Sequence, residues 1–186
     1  MLHFIEKIDE ICFFYINHEW RAPVLDLILP YCREPKTWIP LYVFLLFYAV
    51  KKFGKKSIIP IIGIILSVGV SDTVNSRAIK PLVHRLRPCN DPVLRAEVVN
   101  IVHCGSGFSF ASSHAANHFA VAMALCLFFF QGKKKVQRLL FFWASLVAYS
   151  QVYVGVHYPF DVFCGAILGV LVAKIIHFLY TINFSK

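Results

Sequence analysis

The sequence predicts an all-α fold: a polytopic membrane helical bundle of five or six transmembrane helices, preceded by an N-terminal interfacial helix. Two observations carry this. Hydrophobic residues make up 58% of the chain and the mean hydropathy is +0.64, both beyond what a soluble domain carries. The apolar residues also fall in runs closed by lysine-rich or proline-marked connections, and 186 residues accommodate five or six spans of roughly 20 residues with short links. No length remains for a separate soluble domain, so residues 1–186 are expected to form a single integral-membrane domain.

The elements follow in order. The N-terminal stretch from Met1 to Glu10 lacks a basic region followed by an apolar core and a small-residue cleavage site. It therefore reads as a retained amphipathic helix lying on the membrane surface. Residues 21–31 are short for a crossing and contain Pro23 and Pro30, which makes them the weakest candidate span. Residues 38–50 form a clearer one, with Trp38 and Tyr42 as interfacial anchors and Lys51, Lys52, Lys55 and Lys56 closing it. Residues 58–83 begin wholly apolar and then present Ser71, Asp72, Asn75, Arg77 and Lys80, a half that should face protein or water. Pro88 marks the expected end. A loop with Asn90, Asp91, Pro92 and the turn Gly105-Ser106-Gly107 leads to Ser112, and spans at 113–130, 136–156 and 160–180 complete the bundle.

The net charge of +9 is concentrated in two loops, Lys51 to Lys56 and Lys133 to Arg138, two spans apart and so on one side of the membrane. The positive-inside rule makes that side the cytoplasm, and places the 87–112 loop and His157 together on the outer face. This points to a membrane protein with an outward-facing site. The lysines account for the charge as a topology signal in contact with anionic head groups, so nucleic acid is not an expected partner. Of the six cysteines, Cys12, Cys32, Cys126 and Cys164 read as small apolar residues in or near spans. Cys89 and Cys104 bracket the outer loop, where a disulfide would pin its ends. No cysteine pair has zinc-ligand spacing, and no metal or cofactor is expected.

The polar residues left over are of kinds that handle phosphate. Lys80 and Arg87, seven residues apart, fall on nearly the same helical face. A guanidinium clamps two phosphate oxygens while an ammonium adds a point charge. Ser112-Ser113-His114 stands where a glycine-rich loop enters a span, so unpaired amides there face any bound anion. Ser112 caps that helix or donates to phosphate, and His114 is a proton donor suited to a leaving alkoxide. His157 and Asp161 are spaced to meet across one helical turn. A carboxylate accepting from one ring nitrogen leaves the other as an outward lone pair, which is an activated nucleophile. Individually each residue has a plain reading as a cap, a snorkelling cation or a structural histidine. Together they describe phosphoryl chemistry on a lipid: attack by His157, protonation of the leaving group by His114, then hydrolysis of the phosphohistidine.

Three motifs in this order resemble the type 2 phosphatidic acid phosphatase family, which shares its site with vanadium haloperoxidases. The family's K-x6-R-P is similar to Lys80 through Arg87-Pro88, its P-S-G-H to Ala111-Ser112-Ser113-His114, and its S-R-x5-H-x3-D to Ser150-Gln151 through His157 to Asp161. The resemblance implies a metal-independent lipid phosphatase with His157 as nucleophile, Asp161 as its orienter and His114 as general acid. It assigns Lys80, Arg87, Ser112, Ser113 and position 151 to phosphate.

Two departures stand out. Ala111-Ser112-Ser113 replaces Pro-Ser-Gly, adding a side chain near the phosphate. Gln151 replaces an arginine, removing a charge from the site and on the order of 3 kcal/mol of transition-state stabilisation unless another cation substitutes. Arg85, Arg77 and Lys80 are the candidates. Phe108, Phe110, Phe119 and Tyr153 are candidate linings of an acyl entrance. The outward site and the basic groups favour the 1-phosphate of lipid A as substrate, ahead of undecaprenyl diphosphate and phosphatidylglycerol phosphate. Transfer of phosphate between lipids, and a non-catalytic phospholipid binder or carrier, are the alternatives that Gln151 keeps open.

Overall fold

The computed structural model describes residues 2–184; Met1 and the last two residues lie outside them. Among the described residues every regular element is helical. They comprise α1 (Leu2–Phe14), α2 (Pro23–Arg33), α3 (Ile39–Phe53), α4 (Ile58–Val74), α5 (Lys80–Val83), α6 (Ser113–Phe128), α7 (Lys134–Tyr153) and α8 (Pro159–Phe184).

At the centre stands α6, which lays an alanine-rich face, Ala115, Ala116, Ala120, Ala122 and Ala124, against its neighbours; all five are fully buried. The partner at Ala116 and Ala120 is α8, which presents Gly165 and Gly169 there. A Cβ on Gly165 would stand 2.5 Å from Ser112 O, and one on Gly169 would overlap Ala116 O and approach Ala120 N to 2.8 Å. Small residues four apart let two backbones touch, and within a membrane such van der Waals fit is what associates helices. The start of α6 is tied to α8 directly: Ser112 N donates to Asp161 O at 3.0 Å.

Around this pair, α3 and α4 form a hairpin through the positive-φ Gly54. Tyr42 and Ala49 of α3 run alongside α6 from His118 to Phe129. α4 runs the other way, with Gly63 beside Phe128 and Asn75 bonded to Ser113. The lysine clusters consequently meet at one end of the bundle, where Tyr48 stacks on Phe130 beneath Lys52 and Lys133. The motifs collect at the opposite end.

Two sequence expectations change. The segment expected at 21–31 is an 11-residue helix, about 17 Å long at 1.5 Å per residue and too short to cross. It buries Leu29 and Cys32 while Val24, Leu27, Ile28 and Tyr31 stay exposed. Pro23 starts it and Pro30 lies within it. The 58–83 helix ends at His84, which adopts a left-handed φ of 53°, four residues before Pro88. A π-helical segment, Asn75–Ile79, interrupts it. Two stretches, 35–83 and Pro159–Asn183, are long and apolar enough to cross a membrane; Ser113–Phe128 is apolar but shorter. The number of crossings is thus not fixed by helix length alone.

The N-terminal helix is amphipathic, but it also docks. Phe13 is buried against Tyr158, with ring centroids 5.5 Å apart. The buried Asn17 donates to Val99 O at 2.9 Å and Tyr153 O at 2.8 Å, and accepts from Val99 N at 2.9 Å. It joins the N-terminal segment, the 84–112 loop and the end of α7.

The α6–α8 contact yields the first test. Gly169→Ala forces the two backbones apart and should cost about 1–3 kcal/mol, as overpacking does elsewhere, read as a lower unfolding midpoint in detergent. Gly69→Ala, whose added methyl meets nothing within 4 Å, should leave that midpoint unmoved.

Candidate active site

The turn between α7 and α8 sets His157. Gly155 there takes a φ of +88°, a value only glycine holds without strain, and the amides of Val156 and His157 both donate to Gln151 O at 3.2 Å. His157 is buried. Its Nδ1 lies 3.5 Å from Asp161 Oδ2, longer than a hydrogen bond. Ser109 fills the interval, with its Oγ 3.2 Å from Nδ1 and donating to Asp161 Oδ2. The pair anticipated from the one-turn spacing is therefore a His–Ser–Asp relay. Nδ1–H donating into this relay leaves Nε2 with the lone pair. Burial holds the imidazole down at about 4, against the pull of the nearby Asp161 carboxylate, so the ring is neutral at physiological pH.

Asp161 is tied further. Its Oδ2 accepts from Tyr158 N at 2.9 Å, and its Oδ1 from Arg85 Nη1 at 2.8 Å. Arg85 Nη2 reaches the buried Asp9 at 2.7 Å, and its guanidinium lies over the Tyr158 ring at 3.9 Å. Asp9 Oδ1 in turn accepts from Phe160 N at 2.8 Å. Burial raises the Asp9 carboxyl while the Phe160 amide and Arg85 pull it back. Arg85 thus serves Asp161 and Asp9, which removes it as a substitute for the missing arginine.

Lys80 and Arg87 converge, but not along one helical face as their spacing suggested. The chain leaves the helix at His84. Instead, Lys80 Nζ donates to Phe108 O at 2.8 Å and Arg87 Nε to Gly107 O at 2.9 Å, so adjacent carbonyls of the 84–112 loop hold both cations. Cys89 and Cys104 form a disulfide with their Cα atoms 6.1 Å apart, and Asn90 donates to Gly105 O at 2.9 Å. Both features staple the loop that carries Gly107 and Phe108.

Ser112 is buried and caps α6, its Oγ accepting from Ala115 N at 3.5 Å. The side chain that Ser113 adds to the motif is taken up by Asn75, whose Nδ2 donates to Ser113 Oγ at 2.8 Å and to Ala111 O at 2.9 Å. His114 follows on the first turn of α6, within reach of the positive charge of Arg87. One turn on, His118 accounts for both its nitrogens, with His114 O at 2.8 Å and Tyr42 Oη at 3.3 Å; it is structural.

His114 also lines a cavity of about 660 Å³ between α3, α4 and α6. Its walls are Ile64, Ile65, Val68 and Val121, with Asp72 and Asn117 at the polar side and a 3.1 Å hydrogen bond between those two. The aromatic residues expected at an acyl entrance stand elsewhere. Tyr153 is buried and donates to Asp26 Oδ1 at 2.6 Å. Phe110 stacks on Phe160, Phe108 meets His84 and Phe119 meets Phe141. Aliphatic side chains line the cavity instead. Among the described residues no group of three or more His, Cys, Asp and Glu is placed to hold a metal ion.

Sequence reasoning missed Ser109, Asp9 and Asn75 as site residues, and Arg85 as the partner of Asp161. Ser109 alone had a signal, two residues before the Ala111-Ser112-Ser113-His114 motif. Asp9 lies more than 150 residues from Asp161 in the chain, and only folding relates them.

Known proteins resemble this chain, two in sequence and two solved structures in fold. The lipid A 4'-phosphatase of Bacteroides thetaiotaomicron is 34% identical over 173 residues, 91% of this chain and 75% of that one. The lipid A 4'-phosphatase of Porphyromonas gingivalis is 27% identical over 183 residues, 97% and 75%. The crystal structure of Aquifex aeolicus LpxE superposes with a TM-score of 0.69 at 29% identity, covering 88% of this chain and 91% of that one. The first transmembrane PAP2 type phosphatidylglycerolphosphate phosphatase from Bacillus subtilis shares the fold at TM-score 0.75 and 24% identity, covering 98% and 89%. The PAP2 superfamily itself matches residues 58–184, the stretch that contains all three phosphate motifs; this chain belongs to that superfamily and is a lipid phosphatase of its type.

Proposed function

We propose that this protein hydrolyses a phosphate monoester of lipid A, the 4′-phosphate, through a phosphohistidine on His157. The carrying observation is the relay Arg85–Asp161–Ser109–His157, which holds a neutral imidazole by Nδ1 and leaves Nε2 to attack. The 1-phosphate preference drawn from the sequence gives way to the 4′-phosphate because both curated relatives are named for that position. Five helices, α3, α4, α6, α7 and α8, are read as crossing a bacterial inner membrane, with α1 and α2 at its outer surface. The lysine clusters mark the cytoplasmic end, and the site faces the periplasm. The whole chain acts as one domain, and the cavity beside His114 receives apolar substrate at the level of the outer leaflet.

In the reaction, Nε2 of His157 forms a bond to phosphorus while the P–O bond to the sugar breaks and His114 protonates the departing oxygen. Water then attacks the phosphohistidine, His114 takes its proton, and the P–N bond breaks to return Nε2 its lone pair and release inorganic phosphate. Lys80, Arg87, Ser112, Ser113 and the amides at the start of α6 stabilise the equatorial oxygens.

Two measurements test this. Purified chain incubated with bisphosphorylated lipid A should release inorganic phosphate and leave a product that mass spectrometry places as lacking the 4′-group. His157→Ala should lower release on the order of 10⁴-fold or more. Loss of the 1-phosphate overturns the position, release only from undecaprenyl diphosphate or phosphatidylglycerol phosphate overturns the substrate, and undiminished release by His157→Ala overturns the mechanism. Binding without release would make the chain a carrier.

The second measurement separates the two histidines. His114→Ala should lower lipid A hydrolysis about 10²–10⁴-fold, the range of a lost general acid, yet spare the first-turnover burst of p-nitrophenolate from p-nitrophenyl phosphate, whose leaving phenolate needs no proton. His157→Ala should abolish both. Equal losses on the two substrates in His114→Ala would remove its acid role.

A further inference from the structure

Gln151 is fully buried beneath the turn that carries His157, and neither of its amide atoms has a hydrogen-bond partner among the described residues. It brings no charge to a site where the family pattern has an arginine. The cations weighed from the sequence as replacements are placed otherwise. Arg85 is held between Asp9 and Asp161, Arg77 is exposed, and Lys80 already belongs to the phosphate motif.

Another guanidinium stands at the site. Arg33 ends α2. Its neighbour Cys32 is buried in one cluster with Tyr153, Val154 and Val156, the very segment between Gln151 and His157. Two residues beyond, Pro35 lines the cavity that His114 lines. Arg33 Nε is buried with no hydrogen-bond partner, and among the described residues no carboxylate forms a salt bridge with it. Its charge acts on Arg87 and on His114, and Arg87 in turn acts on Lys80. Arg87 thus stands between two other cations, and the carboxylates that act on the three are Asp161, already matched by Arg85, Asp72, hydrogen-bonded by Asn117, and Glu34, exposed on the chain next to Arg33. A doubly charged phosphate is the group that relieves such a cluster.

We propose that Arg33 is a phosphate-binding residue, supplying from α2 the guanidinium that the family pattern places at position 151. The proposal rests on the hydrolase reading above. Arg33 precedes the stretch that matches the superfamily, residues 58–184, so the family motifs do not contain it. Its planar fork binds two equatorial oxygens of the phosphate as the bond to the sugar breaks, a geometry that an ammonium does not reproduce.

The test uses the full chain in detergent, with phosphate release from lipid A, competitive inhibition by inorganic phosphate and the unfolding midpoint as readouts. Arg33→Gln should lower kcat/KM about 10²–10³-fold, the loss of one preorganised donor, and weaken inhibition by inorganic phosphate, with the midpoint unmoved. Adding Gln151→Arg to Arg33→Gln should recover activity at least about tenfold, a gain that a purely structural role for Arg33 does not provide. Wild-type kinetics in Arg33→Gln, alongside an inactive His157→Ala, overturn the role of Arg33 and leave the hydrolase standing. An active His157→Ala brings down the hydrolase reading itself. Should Arg33→Gln fail to fold, Arg33→Lys decides: weakened phosphate inhibition supports the fork, and unchanged inhibition and kcat overturn it.

Discussion

Two glycines hold the active end together. Gly165 and Gly169 let α8 lie backbone to backbone on the alanine face of α6, and the bond from Ser112 N to Asp161 O fixes the starts of both helices in register. Ser112 and His114 belong to one of these helices, Asp161 to the other, and His157 to the turn leading into it. Their relative position is therefore set by main chain. Apolar side chains gain little from one another inside a lipid environment, where tails are equally apolar, so close van der Waals fit and hydrogen bonds between helices become the dominant attraction. A bulkier α8 would separate the two halves of the site before it disturbed any catalytic side chain.

Charge is arranged around that frame in two groups. Asp9, Arg85 and Asp161 form a compensated chain, buried because each charge has a partner and further hydrogen bonds. It orients Ser109 and His157, and it ties α1 to the site through Phe160 N. Lys80, Arg87 and Arg33 form the uncompensated group. Carbonyls of the stapled loop hold Lys80 and Arg87, which positions them without neutralising them. The first group costs little at rest, whereas the second stores repulsion that an anion relieves. Loss of arginine at position 151 is tolerable in such a design, because the requirement is for positive potential at the phosphate and not for one particular residue.

Much of the fold was legible. Five of the expected apolar segments coincide with helices, α3, α4 with α5, α6, α7 and α8, within a few residues, since apolar runs closed by lysines or prolines leave few alternatives. Residues 21–31 were left open because their composition suits a lipid-facing span and a short docked helix alike; their length, already short for a crossing, is what separates the two, and Pro30 lies inside α2. The end of the 58–83 helix was misplaced for a related reason. Pro88 is a visible breaker, but His84 adopts a left-handed conformation that its identity does not announce.

In the site, the local spacings of K-x6-R-P, S-S-H and H-x3-D singled out the residues proposed to meet phosphate, because each chemical role demands a residue type and neighbours in sequence. Those spacings could not show that Ser109 stands between His157 and Asp161, that Arg85 is committed to two carboxylates, or that α2 brings Arg33 to the motifs' end. Each of these contacts joins segments 48 or more residues apart. Sequence by itself determined the helices, the membrane-type composition and the phosphate chemistry, all of which arise from local pattern. Tertiary structure alone decided which charges are matched and which are left unmatched, because that depends on distances that only the packing of α1, α2 and the 84–112 loop onto α6 and α8 defines.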